Sequence, residues 1–193
     1  EVTEPRWRSS PKKGFQMEDK SFDMAISLTD LKLVDTYFHT NQPTESQLQS
    51  HISVSLPSAQ FNTDKENGLL GLDALVSVQF ILFNGDVPAA INQDDLNSAV
   101  ISYGIALGVT VTAPLMGDAI AVGKHAVRGE SDLETERDKR MERNMKLEAV
   151  RAAYGMASSR LLELSSLSPF GGIHMPLVDA DELLRDIEQR DRQ

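Results

Sequence analysis

The four histidines, His39, His51, His125 and His174, are the first side chains to question for chemistry. Two imidazoles on one helix face would stand three or four residues apart, and a zinc protease would read His-Glu-x-x-His. No pair here has that spacing, so each reads as a surface residue and no metal site is expected. There is no cysteine, which removes disulfides, zinc ribbons, iron–sulfur ligation and thiolate nucleophiles together. Ser9-Ser10-Pro11-Lys12 has a Ser-x-x-Lys spacing, but nothing around it would lower a lysine pKa. No Gly-x-Ser-x-Gly elbow marks a serine nucleophile. Gly68-Leu69-Leu70-Gly71 is too short for a phosphate loop and lacks its lysine. Asp94-Asp95 and the group Asp179, Asp181 and Glu182 read as helix caps and solvated faces. No catalytic, metal or cofactor site is expected, and the chain is not expected to be an enzyme.

The unusual feature is apolar. Phe170, Ile173, Met175 and Leu177 lie in a segment between two helices, loosened by Gly171 and Gly172. Loops normally carry fewer large apolar side chains. Two readings are open. These residues plug one end of the core, or they form a soft, methionine-containing surface that adapts to many partners.

The chain around them has 193 residues, with 29 acidic and 19 basic side chains, a net charge of −10 and a pI near 4.8. A shortage of Lys and Arg argues against a general nucleic-acid binder, because phosphates are contacted mainly by those residues. With 40% hydrophobic and 25% charged residues, the composition is that of an ordinary globular chain. No run of about 18 apolar residues is present to span a bilayer, so no membrane insertion is expected. Glu1-Val2-Thr3-Glu4-Pro5-Arg6 has no apolar stretch behind it, so a signal peptide is not expected and the cytoplasm is the default location. Residues 1–21 are rich in Pro, Ser, Lys and Arg. They are expected to form a flexible basic tail, opposite in charge to the body, with Trp7, the one tryptophan, inside it. Trp7 is either incidental or an anchor for a partner. Residues 22–193 are expected to form a single α+β domain.

Four strands should come first. Phe22, Met24, Ile26 and Leu28 alternate with polar residues, and the phase shifts at Thr29–Asp30, the mark of a β-bulge. A second strand is expected over His51–Leu56, ended by Pro57, and a third over Ala74–Phe83, apolar on both faces and therefore central. A helical turn is expected at Gln93–Leu96. In the fourth strand Ile101, Tyr103, Ile105, Leu107, Val109 and Val111 oppose Ser102, Gly104, Ala106, Gly108, Thr110 and Thr112. The small-residue face permits close approach of a helix or a second subunit, and close packing there would explain Gly155 inside the next helix. Ser131-Asp132-Leu133-Glu134 is a capping box that opens a helix running to about Ser165. Met141, Met145, Ala149, Ala152 and Met156 form one stripe on it, and Val150, Tyr154, Ala157, Leu161 and Leu164 its neighbour. A short last helix starts with Asp179 as N-cap and buries Ala180, Leu183, Leu184 and Ile187. The expected fold class is α+β: a four-stranded antiparallel sheet with a long helix and a short C-terminal helix packed on one face.

Two pieces of the chain resemble the SecB family of protein-export chaperones. One runs from Tyr154 and Ser158-Ser159-Arg160 through Ser168-Pro169-Phe170-Gly171-Gly172 and the extended Ile173–Leu177, with Pro176, to Val178-Asp179-Ala180-Asp181-Glu182-Leu183. The other is the strand Tyr103-Gly104-Ile105, similar to the family's last strand before its helices. The chain departs from the family around the tyrosine, where it reads Ala152-Ala153-Tyr154-Gly155-Met156. The resemblance implies a homotetramer built as a dimer of dimers. It also implies a groove that holds unfolded polypeptide without nucleotide, for protein export and translocation. Client contact would then fall on Phe170, Ile173, Met175 and Leu177, with Tyr103 and Tyr154 below. A SecA-type motor is the family's partner, but the nearly uncharged third strand offers no positions matching its acidic patch. From another class, the alternative is a structural or assembly protein, such as a viral or multi-subunit component.

Overall fold

The alternation of bulky and small residues between Ile101 and Pro114 decides how the layers stack. In the computed structural model, which describes residues 25–44, 47–64, 66–114 and 130–190, this segment is strand β4 of a four-stranded antiparallel sheet. β1 is Ser27–Thr40, β2 is Leu48–Asp64 and β3 is Leu69–Asn84, and the spatial order is β1-β4-β3-β2. Two central strands thus carry the core, and the edges are β1 and β2. α1 (Gln93–Ser98) lies between β3 and β4, and the long α2 (Glu130–Ser166) and short α3 (Ala180–Arg190) follow β4. The fold is α+β, with the long helix and the C-terminal helix together on one face of the sheet. Residues 1–24, including the expected basic tail, Phe22 and Met24, lie outside the described residues, as do the side chains of residues 130–137, including the capping box at Ser131.

The covered face is the bulky one. Tyr103, Ile105, Leu107, Val109 and Val111 of β4 pair with Phe80, Val78, Val76, Ala74 and Leu72 of β3. All ten are buried in one cluster with Met141, Met145, Ala149, Ala153, Ala157 and Leu161 of α2 and Leu183, Leu184 and Ile187 of α3. At ~25 cal/mol per Å² of apolar surface removed from water, this cluster is the main source of stability. The small-residue face of β4 points the other way, so the expectation that a helix would pack on it is overturned. The smallness that lets the layers approach sits in the helix instead, in Ala149, Ala153 and Ala157. Those alanines belong to a strict i, i+4 ridge. Ala153 rather than Ala152 is therefore the buried member, and Ala152 and Met156 are only half-buried. Gly155 is exposed with open space where a Cβ would stand, so close packing does not explain it.

Bulges keep the apolar residues on the covered side. β1 slips register between Leu28 and Asp30, as the phase shift predicts, and again between Leu33 and Asp35. The two slips return Leu28, Leu31, Leu33 and Phe38 to the covered face, opposite Val111, Val109, Leu107 and Tyr103. β2 does not end at Pro57. It continues to Asp64 through a slip between Ser55 and Ser58, where Leu56 and Pro57 share the place opposite Val76. A proline, lacking its N–H, is tolerated at such a bulge on an edge strand. On the far side of the sheet, Ile81 and Phe83 form a second, smaller core with Ala99 and the half-buried Val87, Ile91 and Leu96. Asn92 caps α1 by accepting from the backbone N–H groups of Asp94 and Asp95, and Asp95 accepts from the N–H of Asn92 in return.

Candidate functional site

The segment between α2 and α3 is built to hold an extended chain against the side of α2. Its first turn is closed by Ser168, whose hydroxyl donates to the Ser165 carbonyl at 2.7 Å and accepts from the Phe170 N–H at 3.3 Å. Gly171 sits at φ +72°, the left-handed region that favours glycine. A Cβ on Gly172 would lie 2.8 Å from Leu162 Cδ1, so this backbone comes close to α2. The hydroxyl of Ser165, a fully buried residue, accepts from the Ile173 N–H at 2.7 Å. Further along, the Tyr154 hydroxyl donates to the Pro176 carbonyl at 2.8 Å. Burial raises the Tyr154 pKa, which keeps that hydroxyl protonated as a donor.

Between these two tethers the side chains divide. Met175 turns into the core and is 6% exposed, while Leu177 stands fully in solvent. Leu167, just past the end of α2, is 88% exposed, and Phe170 and Ile173 are half-buried against the core cluster. Leu167, Phe170, Ile173 and Leu177 follow one another along this segment, called the shelf below, and each is at least partly accessible. Met175 thus plugs the core, as one reading of the segment has it, and Leu177 stands outward.

Of the six residues expected to contact a client, Phe170, Ile173, Leu177 and Tyr154 are accessible from this shelf. The other two are corrected by their burial. Tyr103 is 0% exposed, and its hydroxyl donates to the Ala157 carbonyl at 3.1 Å. Burial pushes that hydroxyl up to about 12, so it is a fixed donor that joins sheet to helix. Met175 is the floor of the segment and not its surface. Leu167 is the residue that sequence reasoning missed. It lies where the long apolar stripe of α2 is ending, and only the turn at Ser168 sends it outward.

Ion pairs fasten the shelf's C-terminal end. Asp181, two residues past the N-cap Asp179, binds Arg143 of α2 at 2.8 Å and also Arg185 one turn along α3. Those two guanidinium groups hold the Asp181 carboxyl below the usual carboxylate range. Arg190, at the other end of α3, donates to the Val54 carbonyl on β2 at 2.9 Å. The β2 edge therefore has one backbone acceptor occupied and a proline in its bulge. The β1 edge differs: Leu28, Leu33, Val34 and Tyr37 are all exposed large side chains on that one strand.

The opposite face of the sheet is polar and self-bonded. Tyr37 reaches from β1 across Gly104, where a Cβ would stand 2.3 Å from its ring, to a long 3.5 Å contact between its hydroxyl and Gln79 of β3. Ser53 of β2 then donates to Gln79 at 3.2 Å. Nearer the other end, Asp73 accepts from Asn62 at 2.9 Å and from Thr110 at 2.8 Å. A cleft of about 490 Å³ lies beside α1, lined among others by His51, Ser53, Gln79, Ile91 and Leu96. Among the described residues no three His, Asp or Glu side chains converge to hold a metal. No helix among them is long and apolar enough to cross a membrane.

No family model matches the chain, and no curated protein matches it. Among solved structures it is similar to a SecB-like chaperone of Mycobacterium tuberculosis in complex with a ChAD peptide from the HigA1 antitoxin. That likeness has a TM-score of 0.41 and 10% identity and covers 79% of this chain and 90% of the other. It is also similar to a protein of unknown function from Streptococcus agalactiae. There the TM-score is 0.37 and the identity 7%, covering 80% of this chain and 98% of the other.

Proposed function

We propose that the protein is an ATP-independent holdase, which binds unfolded polypeptide on the shelf between α2 and α3. The observation that carries this reading is that Leu167 and Leu177, at the two ends of the segment between α2 and α3, are large apolar side chains left in solvent. Exposed apolar side chains bind other chains where they join with their neighbours into a patch. Phe170 and Ile173 extend the contact, and Tyr154 supports it from α2. Each apolar client side chain would gain by burial alone, at ~25 cal/mol per Å², so recognition depends on area and not on one sequence. The reading is of a non-enzymatic, cofactor-free role in the cytoplasm. SecB-like service to protein export, with or without a SecA-type motor, is the fuller form of this reading.

Among the described residues no strand pairs with the outer edge of β1, which supports a homo-oligomer, the dimer of dimers being the form that the family resemblance implies. The same edge favours the second reading, a structural or assembly protein. Light scattering after size exclusion separates the two: a discrete small oligomer agrees with a holdase, and open-ended assembly agrees with a structural component. The direct test of the site is titration of a fluorescently labelled, permanently unfolded polypeptide with the full chain in the absence of nucleotide. Saturable binding that Leu177→Asp weakens supports the proposal. Absence of binding at any attainable concentration rejects it.

A further inference from the structure

We propose that a cavity at the end of the sheet, beside α1, binds a small neutral saccharide. The cavity holds about 550 Å³, a size typical of small-molecule sites. Asn41, Asn84, Asp86, Asp95, Asn97 and Phe83 are among its lining residues, drawn from the ends of β1 and β3 and from α1. It adjoins the cleft over His51 and Gln79, with Pro88 lining both. None of the shelf residues belongs to it, so the proposal stands or falls separately from the holdase reading.

Five of these side chains are each fixed through one polar atom and keep another for a ligand. Asn41 Nδ2 donates to the carbonyls of Asn97 at 2.7 Å and Ala99 at 2.9 Å, which leaves its Oδ1. Asn84 Oδ1 accepts from the Thr44 N–H at 3.0 Å, which leaves its Nδ2. Asp86 Oδ1 accepts from Gln49 at 3.0 Å, and Asp95 Oδ2 accepts from the Asn92 N–H at 2.8 Å. Asn97 Oδ1 accepts from Gln93 at 3.3 Å. Asp86 Oδ2, Asp95 Oδ1 and Asn97 Nδ2 have no partner among the described residues. A side chain already oriented by one bond loses little freedom in making a second, so the cavity is preorganised.

This inventory selects the ligand. The free atoms are three acceptors, on Asn41, Asp86 and Asp95, and two donors, on Asn84 and Asn97. An anion would meet two carboxylates, with no Lys, Arg or His among the lining residues. A cation would leave both amide donors unmet. A hydroxyl donates and accepts without carrying charge. Several hydroxyls on one ring therefore match the set, and Phe83 and Pro88 offer apolar surface to the ring's C–H groups.

The test is nuclear magnetic resonance of the full chain, titrated in turn with D-glucose, D-galactose, D-mannose and maltose. The carboxamide N–H resonances of Asn84 and Asn97 should shift saturably with at least one sugar, while the backbone resonances of Leu167 and Leu177 stay in place. Asp86→Ala and Asn97→Ala, both at exposed positions, should each weaken binding severalfold, read at Asn84, with thermal unfolding unchanged. Asp94→Ala removes an exposed acid of α1 outside the lining and should leave affinity as it is. D-glucuronate should bind more weakly than D-glucose, because its carboxylate faces Asp86 and Asp95. No saturable shift with any of the sugars at large molar excess overturns the proposal. So does an equal response to acyclic sorbitol, affinity unchanged in both lining variants, or a loss in Asp94→Ala as large as theirs. A permanently unfolded polypeptide that shifts the same resonances more strongly than any sugar would give the cavity to a peptide ligand and overturn the saccharide assignment.

Discussion

The sheet has two faces, and they solve the problem of exposure in opposite ways. On the covered face bulky β3 and β4 side chains meet an alanine ridge of α2, and water is excluded. On the open face the side chains of β4 are small, and polar groups bond across strands: Tyr37 and Ser53 to Gln79, Asn62 and Thr110 to Asp73. Several polar groups of the open face are therefore already paired with one another. The side chains proposed to bind polypeptide, Leu167 and Leu177, emerge instead on the segment between α2 and α3.

The comparison can be broken most strongly from the covered side. Leu161→Ala should cost about 2–5 kcal/mol in chemical denaturation, because the cavity lies under the helix ridge and cannot fill with water at low cost. Gly104→Ala, on the open face, should cost about 1–3 kcal/mol as an overpacking change. Tyr37→Ser in the same chain should recover most of it, because the obstacle is one exposed ring; an unrecovered loss would mean that the β4 backbone itself needs glycine. Tyr154→Phe removes the bond to Pro176 and should cost about 1 kcal/mol. Amide exchange should speed up between Gly172 and Val178 and stay unchanged in β3. The effect of pH is smaller. The folded pKa of Asp181 is depressed, so its contribution is fully present above the unfolded value and is lost as pH falls through the folded one. Acid titration of stability should show a loss in that range that Asp181→Asn lacks. Leu177→Asp should leave stability within about 0.5 kcal/mol, as expected for an exposed position.

Strand alternation made much of this legible. Odd and even residues of β4 separate cleanly, and the phase shift at Thr29 locates a real bulge. What alternation does not give is which face a helix chooses. Small residues on β4 invite close approach, but burying Tyr103, Leu107 and Val111 removes far more apolar area from water, and that gain decides. Pro57 was misread as a strand end because sequence alone does not say that β2 is an edge strand with a bulge. At the shelf, Phe170, Ile173 and Leu177 were legible as apolar residues in a loop. The division between Met175 and Leu177 was not, because it is set by tethers from Ser165 and Tyr154, 8 and 22 residues away from the backbone groups they bind. Asp at Met175 would disrupt the core, whereas Asp at Leu167 and Leu177 tests contact.

The central claim is that the shelf, and not the open sheet face, holds unfolded chains. It is tested most directly by following the light scattering of a denatured client as it is diluted into buffer without ATP. The account predicts that the full chain suppresses aggregation and that Leu167→Asp with Leu177→Asp abolishes the suppression while thermal unfolding stays unchanged. No suppression at several-fold molar excess, or equal suppression by the double variant, would contradict it.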